Sequence, residues 1–573
     1  MFRIRQIHDA STHQNRLAVS AVLKIYQEAF DYYPEYAAKI AALMKFSPEK
    51  DFEVVLLVAE GHKERILGFS LSFYFSRIRY GYLDYIASHP NRHTRGYGGA
   101  LYEATCEWFW HRKAHGLFLD VPTDDPILLQ DKNRLAGNRR RLAFYERFGA
   151  RPIANTAYES TANKANAGAF TYLVFDDLET GIPLSRKQLR AFLRRMLAVK
   201  GNMDANDAKL KLIVDSVKDD PVQLRPPRYL KKISDSNNGE QTPLEFVTTG
   251  DALQIHHLKE KGYVERPARV HAILKGLGDL PMKSLKPRHF AERHIQAVHH
   301  PELVKFLKRG EQNLGPGQLL YPNVFPVRHP ERIPKSWDNQ AGYFCIDNFT
   351  PVTSNCYLAA RNAVDVALTA AQRVSKGSRL CYALCRPPGH HAESRVFGGF
   401  CYFNNASIAA HYLSQSARVA LLDIDHHHGN GSQEIFYQRS DVYVVSIHGH
   451  PRLCYPYFSG YTEERGEGEG KGYNRNYPLY PGVDDHNYAD TLSKALGVIS
   501  AFRPDYLVLS LGFDIMQGDP TGTFDVTPRG MYRIGRMIGD VGLPTLVVQE
   551  GGYSLRNLRS GALEFFRGLT RTG

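Results

Sequence analysis

Residues 419–431 read VALLDIDHHHGNG. The apolar run Val419–Leu422 is too short for a helix and ends abruptly in acidic, histidine and glycine residues, the pattern of a buried parallel strand that empties into a loop. Side chains alternate along an extended segment, so Asp423, Asp425 and His427 are predicted to share one face while Ile424, His426 and His428 take the other. Asp425 and His427 can then grip a single ion. A carboxylate with an imidazole suits zinc, and a catalytic zinc takes about three protein ligands while keeping a position open for water.

The same grammar recurs four times around this stretch. RLCYALC (379–385) runs into RPPGHHAE, VYVVSI (442–447) into HGH, YLVLSLG (506–512) into FDIMQGDP, and LPTLVVQ (543–549) into EGGYS. Helical patterns such as AARNAVDVALTAAQRV (359–374) and YADTLSKALGVISAF (488–502) alternate with these runs, which predicts an α/β fold from about residue 244 to the end. In open α/β sheets ligands bind beyond the carboxyl ends of the strands, so the five loops should converge. Asp514, just past its strand, is the expected third metal ligand. His390 and His391 are suited to proton transfer beside a metal, with Asp423 orienting His390 from behind. Tyr553 follows Gly551 and Gly552, whose freedom would let the phenol swing over the metal and donate to a developing oxyanion.

A chain of 573 residues exceeds what one hydrophobic core serves. Upstream, EVVLLVAE (53–60), LGFSLSFYF (67–75) and YGYLDYIAS (80–88) read as three antiparallel strands, and in HPNRHTRGYGGALYEATCEWFW (89–110) a glycine-rich turn leads into a helix with Leu101, Ala104, Trp108 and Phe109 as its apolar residues. Residues 181–243 change texture. LSRKQLRAFLRRMLAV puts Leu189, Phe192, Leu193, Met196 and Leu197 on one face, and the proline- and charge-rich stretch after residue 218 reads as a linker. The predicted division is therefore a domain over 1–180, a helical connector and linker over 181–243, and a second domain over 244–573.

The net charge is +13, but no zinc finger or RNA-binding signature accompanies the basic clusters, which read as solvated faces of amphipathic helices rather than as a nucleic-acid surface. No apolar stretch of about eighteen residues exists to span a bilayer, and the start lacks a secretory core. The seven cysteines are scattered, with Cys381 and Cys385 expected as buried small hydrophobes, which together predicts a cytoplasmic protein.

RPPGHHAE, GGFCYFNNASIAA, DIDHHHGNGSQEIFY, GFDIMQGDP and QEGGYS, in this order over roughly residues 250–570, resemble the arginase/deacetylase superfamily, most of all its acetylpolyamine amidohydrolases, with a likeness to class II histone deacetylases. The resemblance implies zinc on Asp425, His427 and Asp514, with His390 and His391 as a histidine dyad and Tyr553 polarising the acetyl carbonyl. It also implies a substrate tunnel lined by Gly399, Phe400 and Tyr455. A potassium ion near Asp423, Asp425, His427, Ser446 and Ile447 is expected as well, together with a small acetylated amine as substrate. A homodimer contact is expected at PVRHPERIPKSWDNQ (326–340). Some relatives carry an aspartate where this chain has Asn430, which leaves the division of labour between His390 and His391 open.

Residues 1–180 resemble a GNAT acetyltransferase. Arg95, Gly96, Gly98 and Gly99 fall in the pyrophosphate-loop pattern, with His93 in place of its usual glutamine or arginine, and Asn138 stands seven residues before Tyr145 as in the family's later motif. Acetyl-coenzyme A is the implied cofactor, with Tyr145 protonating the departing thiolate. Four readings compete: a two-headed enzyme, a deacetylase whose first domain senses acetyl-coenzyme A or recruits substrate without turnover, a protein deacetylase acting on acetyl-lysine, and an arginase-like manganese hydrolase.

Overall fold

The computed structural model describes residues 3–30, 40, 42–43, 52–61, 65–89, 97–158, 171–178, 180, 182–201, 203–204, 206–229, 243–250, 255–258, 260 and 262–571. They fall into two compact units that divide between residues 229 and 243.

The first unit is built on a sheet of β1 (Arg3–Ile7), β2 (Glu53–Glu60), β3 (Ile66–Phe75), β4 (Tyr80–Ser88), β5 (Gly116–Pro122), β6 (Arg151–Pro152) and β7 (Thr171–Asp176), in the order β1-β2-β3-β4-β5-β7-β6. The three strands expected between residues 53 and 88 pair antiparallel. Among the described strands of this sheet only β4 and β5 run parallel, over Tyr80–Leu83 against Gly116–Leu119. α1 (His13–Ala29) begins at an N-cap, where the Thr12 hydroxyl accepts from the Asn15 amide. α2 (Tyr97–His111) and α3 (Lys132–Arg147) cover one sheet face through Leu101, Trp108, Phe109, Leu142 and Tyr145.

The helices expected as a connector, α4 (Arg186–Gly201) and α5 (Ala208–Ser216), cover the other face of that sheet. Leu189, Phe192, Leu193, Met196 and Leu197 form the apolar stripe that the sequence showed, and they pack on Phe73, Phe75, Tyr80, Tyr82 and Phe118. Phe118 and Phe192 stack at 3.7 Å. A stripe this complete needs a core to bury it, and the aromatic sheet face supplies one.

In the second unit an eight-stranded sheet of described strands is parallel throughout. Its members are β8 (Leu244–Val247), β9 (Met282–Leu285), β10 (Leu380–Ala383), β11 (Val419–Asp423), β12 (Val442–Gly449), β13 (Asn474–Leu479), β14 (Tyr506–Leu511) and β15 (Thr545–Gln549). Their order is β13-β12-β11-β14-β15-β10-β8-β9, so the last strand in the chain lies inside the sheet.

Strand alternation separates two cores. Ala420, Leu422, Leu507, Leu509 and Val547 meet α6 (Ala268–Leu277), α9 (Asp485–Phe502), α10 (Pro528–Gly539) and α11 (Leu555–Leu569). Val419, Leu421, Val508, Leu546 and Val548 meet the alanine-rich faces of α7 (Cys356–Ser375) and α8 (Asn405–Ser414). Both faces of a parallel sheet are thereby buried, which is why its strands read as unbroken apolar runs. The carboxyl ends of the adjacent parallel strands β12, β11, β14, β15 and β10 deliver all five loops to one rim. Among the described residues no helix is long and apolar enough to cross a membrane.

Candidate active site

β11 stops at Asp423, so the pleat does not continue to His427 as the sequence predicted. Two side chain-to-backbone bonds take its place: Asp423 Oδ1 accepts the Asp425 amide at 3.0 Å, and Asp425 Oδ1 accepts the His427 amide at 2.9 Å. The turn aims Asp425 and His427 at one point. There Asp514 joins them, its Oδ1 accepting the His426 amide at 2.9 Å. His427 Nδ1 lies 3.3 Å from Asp425 Oδ1 and 3.1 Å from Asp514 Oδ2, and one ligand atom from each of the three residues falls within 4.8 Å of the others.

The donor set fits a divalent cation. Asp425 and Asp514 are 0% exposed, and two carboxylates buried side by side cost several kcal/mol unless a cation joins them. Burial and the neighbouring Asp425 charge push the Asp514 carboxyl up to about 7. Space tells the same story. A Cβ at Gly551 would sit 2.5 Å from both Asp425 Oδ2 and Asp514 Oδ2, so only glycine can back the ligands here while its amide donates to Asp425 Oδ2 at 2.7 Å.

His390 and His391 lie with ring centroids 4.0 Å apart. Asp423 Oδ2 holds His390 Nδ1 at 2.9 Å, and His390 Nε2 is 3.7 Å from Asp425 Oδ1. Burial opposes charge on His390, but Asp425 and Asp423 outweigh it and raise the imidazole to about 10. His391 differs, because its Nδ1 meets the neutral Asn430 Oδ1 at 2.8 Å. Burial and the neighbouring positive His390 hold His391 well below its ordinary value. The dyad is therefore polarised, one ring charged and the other neutral.

The Tyr553 loop is fixed from beneath. Gly552 adopts φ +103°, where a Cβ would also strike Phe513 at 2.8 Å. Asp519 Oδ2 accepts the amides of Tyr553 and Ser554 at 2.7 and 2.9 Å, and Arg269 Nε donates to Gly552 O at 2.7 Å. The Arg269 guanidinium stacks 4.7 Å from the Tyr553 ring centre. Burial pushes the phenol well up, so it keeps its proton and remains a donor.

Gly399, at φ +57°, leaves no room for a Cβ, which would lie 2.2 Å from His391 Cδ2. Phe400 meets Tyr553 with centroids at 5.5 Å, and Phe349 bridges Phe400 and Tyr455 at 5.6 and 5.7 Å. Tyr455 stands edge-on to His391 at 4.8 Å. An apolar aromatic wall thus borders the dyad. Ser446 pairs with Asp423 across β11 and β12, and its Oγ lies 2.7 Å from His448 Nδ1.

Several residues that build the site were not singled out by the sequence. Asp347 accepts from the Gly399 amide, from Thr350 and from the Tyr455 hydroxyl, so one buried carboxylate positions three parts of the aromatic wall. Glu550 Oε2 accepts the amides of Gly389 at 2.7 Å and His390 at 3.1 Å, joining the Tyr553 loop to the dyad loop. Glu265 pairs with both Arg269 and Arg386 at 3.1 and 3.0 Å in full burial. Glu393 accepts from Asn430 Nδ2 at 2.7 Å, and burial pushes its carboxyl up to about 7. Arg386 and Glu550 sit inside the quoted motifs, which was a usable signal; Asp347, Glu265 and Arg269 carried none.

In the first unit, Gly98 and Gly99 lie in the first turn of α2, while His93, Arg95 and Gly96 lie outside the described residues. Asn138 Nδ2 donates to Thr123 O at 2.9 Å, tying α3 to the residue after β5. Tyr145 is buried against Tyr102 with ring centroids at 5.3 Å, and burial pushes its phenol up.

Comparison with known proteins places residues 263–569 in the family described as Histone deacetylase domain. Acetylpolyamine amidohydrolase 2 of Pseudomonas aeruginosa is 40% identical over 315 residues, covering 53% of this chain and 90% of the relative. Acetylpolyamine amidohydrolase of Burkholderia pseudomallei is 44% identical over 310 residues, covering 53% of this chain and 89% of the relative. A crystal structure of acetylpolyamine aminohydrolase from Burkholderia pseudomallei superposes with a TM-score of 0.54 at 39% identity, over 57% of this chain and 98% of that one.

Proposed function

Because the chain belongs to the histone deacetylase family of the arginase/deacetylase superfamily, we propose that its second unit is a zinc-dependent amidohydrolase that removes acetyl groups from small N-acetylated amines. The observation that carries this reading is the buried Asp425–His427–Asp514 cluster with a histidine pair beside it, one ring backed by Asp423 and the other by Asn430. Zinc held by these three groups would supply Lewis-acid polarisation and bring the pKa of a water down to about 7. His391, neutral, takes the proton of the attacking water and later gives it to the departing amine. His390, charged and backed by Asp423, adds positive potential to the site. Tyr553 donates its hydroxyl to the acetyl oxygen as negative charge develops there. The wall formed by Phe400, Phe349 and Tyr455 excludes water and takes the aliphatic chain of the substrate. The likeness to acetylpolyamine amidohydrolases favours a flexible acetylated polyamine over a protein side chain. Turnover of acetylputrescine, acetylcadaverine and an acetyl-lysine peptide by zinc-loaded protein tests this, with the two small amides expected to dominate. Preference for the peptide would move the assignment to protein deacetylation.

The first unit we read as an acetyl-coenzyme A-dependent N-acetyltransferase of the GNAT kind. What favours this is a mixed sheet in which the parallel pair β4 and β5 sits beside α2, with Gly98 and Gly99 in its first turn, and with the buried, proton-retaining Tyr145 on the same face. Tyr145→Phe should abolish acetyl transfer; a unit that only senses acetyl-coenzyme A would show no transfer to lose.

A further inference from the structure

The parallel pairing of β4 and β5 covers Tyr80–Leu83 and Gly116–Leu119 and ends there, although β4 continues to Ser88 and β5 to Pro122. The first residue beyond the last rung on each strand is an aspartate, Asp84 on β4 and Asp120 on β5. Strand alternation puts both on the face of Tyr82 and Phe118, the face covered by α4 and remote from α2 and Tyr145.

Into this fork the last turn of α4 inserts one side chain. Lys200 Nζ lies 3.1 Å from Asp120 Oδ2 and 3.3 Å from Asp84 Oδ1, touches the Tyr82 hydroxyl, and sits 4.6 Å from the Tyr82 ring centre. Tyr158 donates its hydroxyl to Asp120 Oδ1 at 2.8 Å, holding that carboxylate in place. The Asp84 side chain is 0% exposed, while those of Lys200 and Asp120 remain 26% and 24% open. Burial disfavours a charge here, yet Asp120 and Asp84 keep the Lys200 ammonium well above its ordinary value. The arrangement is that of an ammonium-binding cage: two carboxylates and a phenol oxygen for the N–H donors, and an opening towards solvent.

The geometry points to a primary-ammonium site in the first unit, formed by Asp84, Asp120, Tyr82 and Tyr158 and occupied by the chain's own Lys200 in place of an alkylamine ligand. Lys200 is one residue from the end of α4, so fraying of a single helical turn frees the cage without disturbing the Leu189–Leu197 stripe. An amine that enters there approaches from the sheet face opposite Tyr145. On the acetyltransferase reading, on which this last step rests, the site selects the acetyl acceptor as a primary alkylamine.

Chemical rescue tests it. Full-length wild type, K200A and K200A/D84N are titrated with n-butylammonium chloride, with n-butanol and sodium chloride as controls, following both calorimetric binding and thermal midpoint. The expected result is that n-butylammonium raises the K200A midpoint and binds it about tenfold or more tightly than wild type, while n-butanol and salt do nothing and K200A/D84N loses the response. Any amine bound by the second unit is common to all three proteins and cancels. Equal responses of wild type and K200A, or an undiminished response of K200A/D84N, overturn the proposal. Should K200A fail to fold, Lys200→Ser vacates the same space and serves in its place under the same criteria. Acetyl transfer to n-butylamine is measured separately. Binding without transfer defeats the acetyltransferase reading and leaves the cage, whereas transfer without K200A-dependent binding defeats the cage alone.

Discussion

Exchanging the amide and acid at positions 430 and 393, as N430D/E393Q, moves one carboxylate from beside Asn430 to beside His391 without changing the composition of the site. Asn430 Oδ1 is 2.8 Å from His391 Nδ1, and its Nδ2 is 2.7 Å from Glu393 Oε1. The single change N430D would set two buried acids against each other, which the exchange avoids because the amide introduced by E393Q can donate back. A charge about 4 Å from the imidazolium is worth about 4 kcal/mol at an effective dielectric of 20, or about 3 pKa units. Burying the new carboxylate, at a position 2% exposed, takes back part of this, so a net rise of about 1–2 units is expected. In the parent His391 is held well below its ordinary value and stays neutral across the working range. In the exchange variant it returns towards that range and becomes protonated as pH falls, so kcat/KM should drop about tenfold for each unit below its new pKa. The assay is kcat/KM for acetylputrescine from about pH 5 to 9 on zinc-loaded protein. A profile that superimposes on the parent's would refute the assignment of His391 as the base.

Tyr553→Phe should lower kcat by about 10²- to 10³-fold with KM and metal content unchanged, measured by steady-state kinetics and metal analysis. D425A and D514A should each lose bound zinc by mass spectrometry and lose amide cleavage with it, and chelation of the parent should do the same until zinc is restored. His299 donates through Nδ1 to Glu393 O and accepts the Asn404 amide at Nε2, so only its neutral form fits, and burial lowers it to about 4. A lowered histidine contributes fully above pH 6.5 and loses its contribution as pH falls from 6.5 to about 4, a span worth about 3 kcal/mol; urea midpoints should therefore fall less steeply with acid in H299Q than in the parent.

What could be read from the sequence divides along a physical line. The strand-then-loop grammar exposed the rim residues because strand burial is encoded locally, and Asp425, His427 and Asp514 do converge. The reason given for Asp425 and His427 was only half right, since β11 ends at Asp423 and backbone-to-carboxylate bonds, not the pleat, aim the pair. The stripe on α4 was legible too, but a stripe does not name what covers it, and Phe118 lies 74 positions from Phe192. Arg269 and Asp347 stayed silent for the same reason: their partners at Gly552 and Gly399 stand 283 and 52 residues away. Asn430 looked like a lost charge, and only packing reveals Glu393 one hydrogen bond further out.

The position of β15 bears on how the protein is made. Until Thr545–Gln549 emerges from the ribosome, β14 and β10 have no strand between them, and the sheet exists as two separate halves. A nascent chain can already contain Asp425, His427 and Asp514, yet Glu550 is not there to clasp the amides of Gly389 and His390. Hydrolytic competence therefore arrives with the closing segment, and prematurely terminated translation products should be inert even when they capture metal.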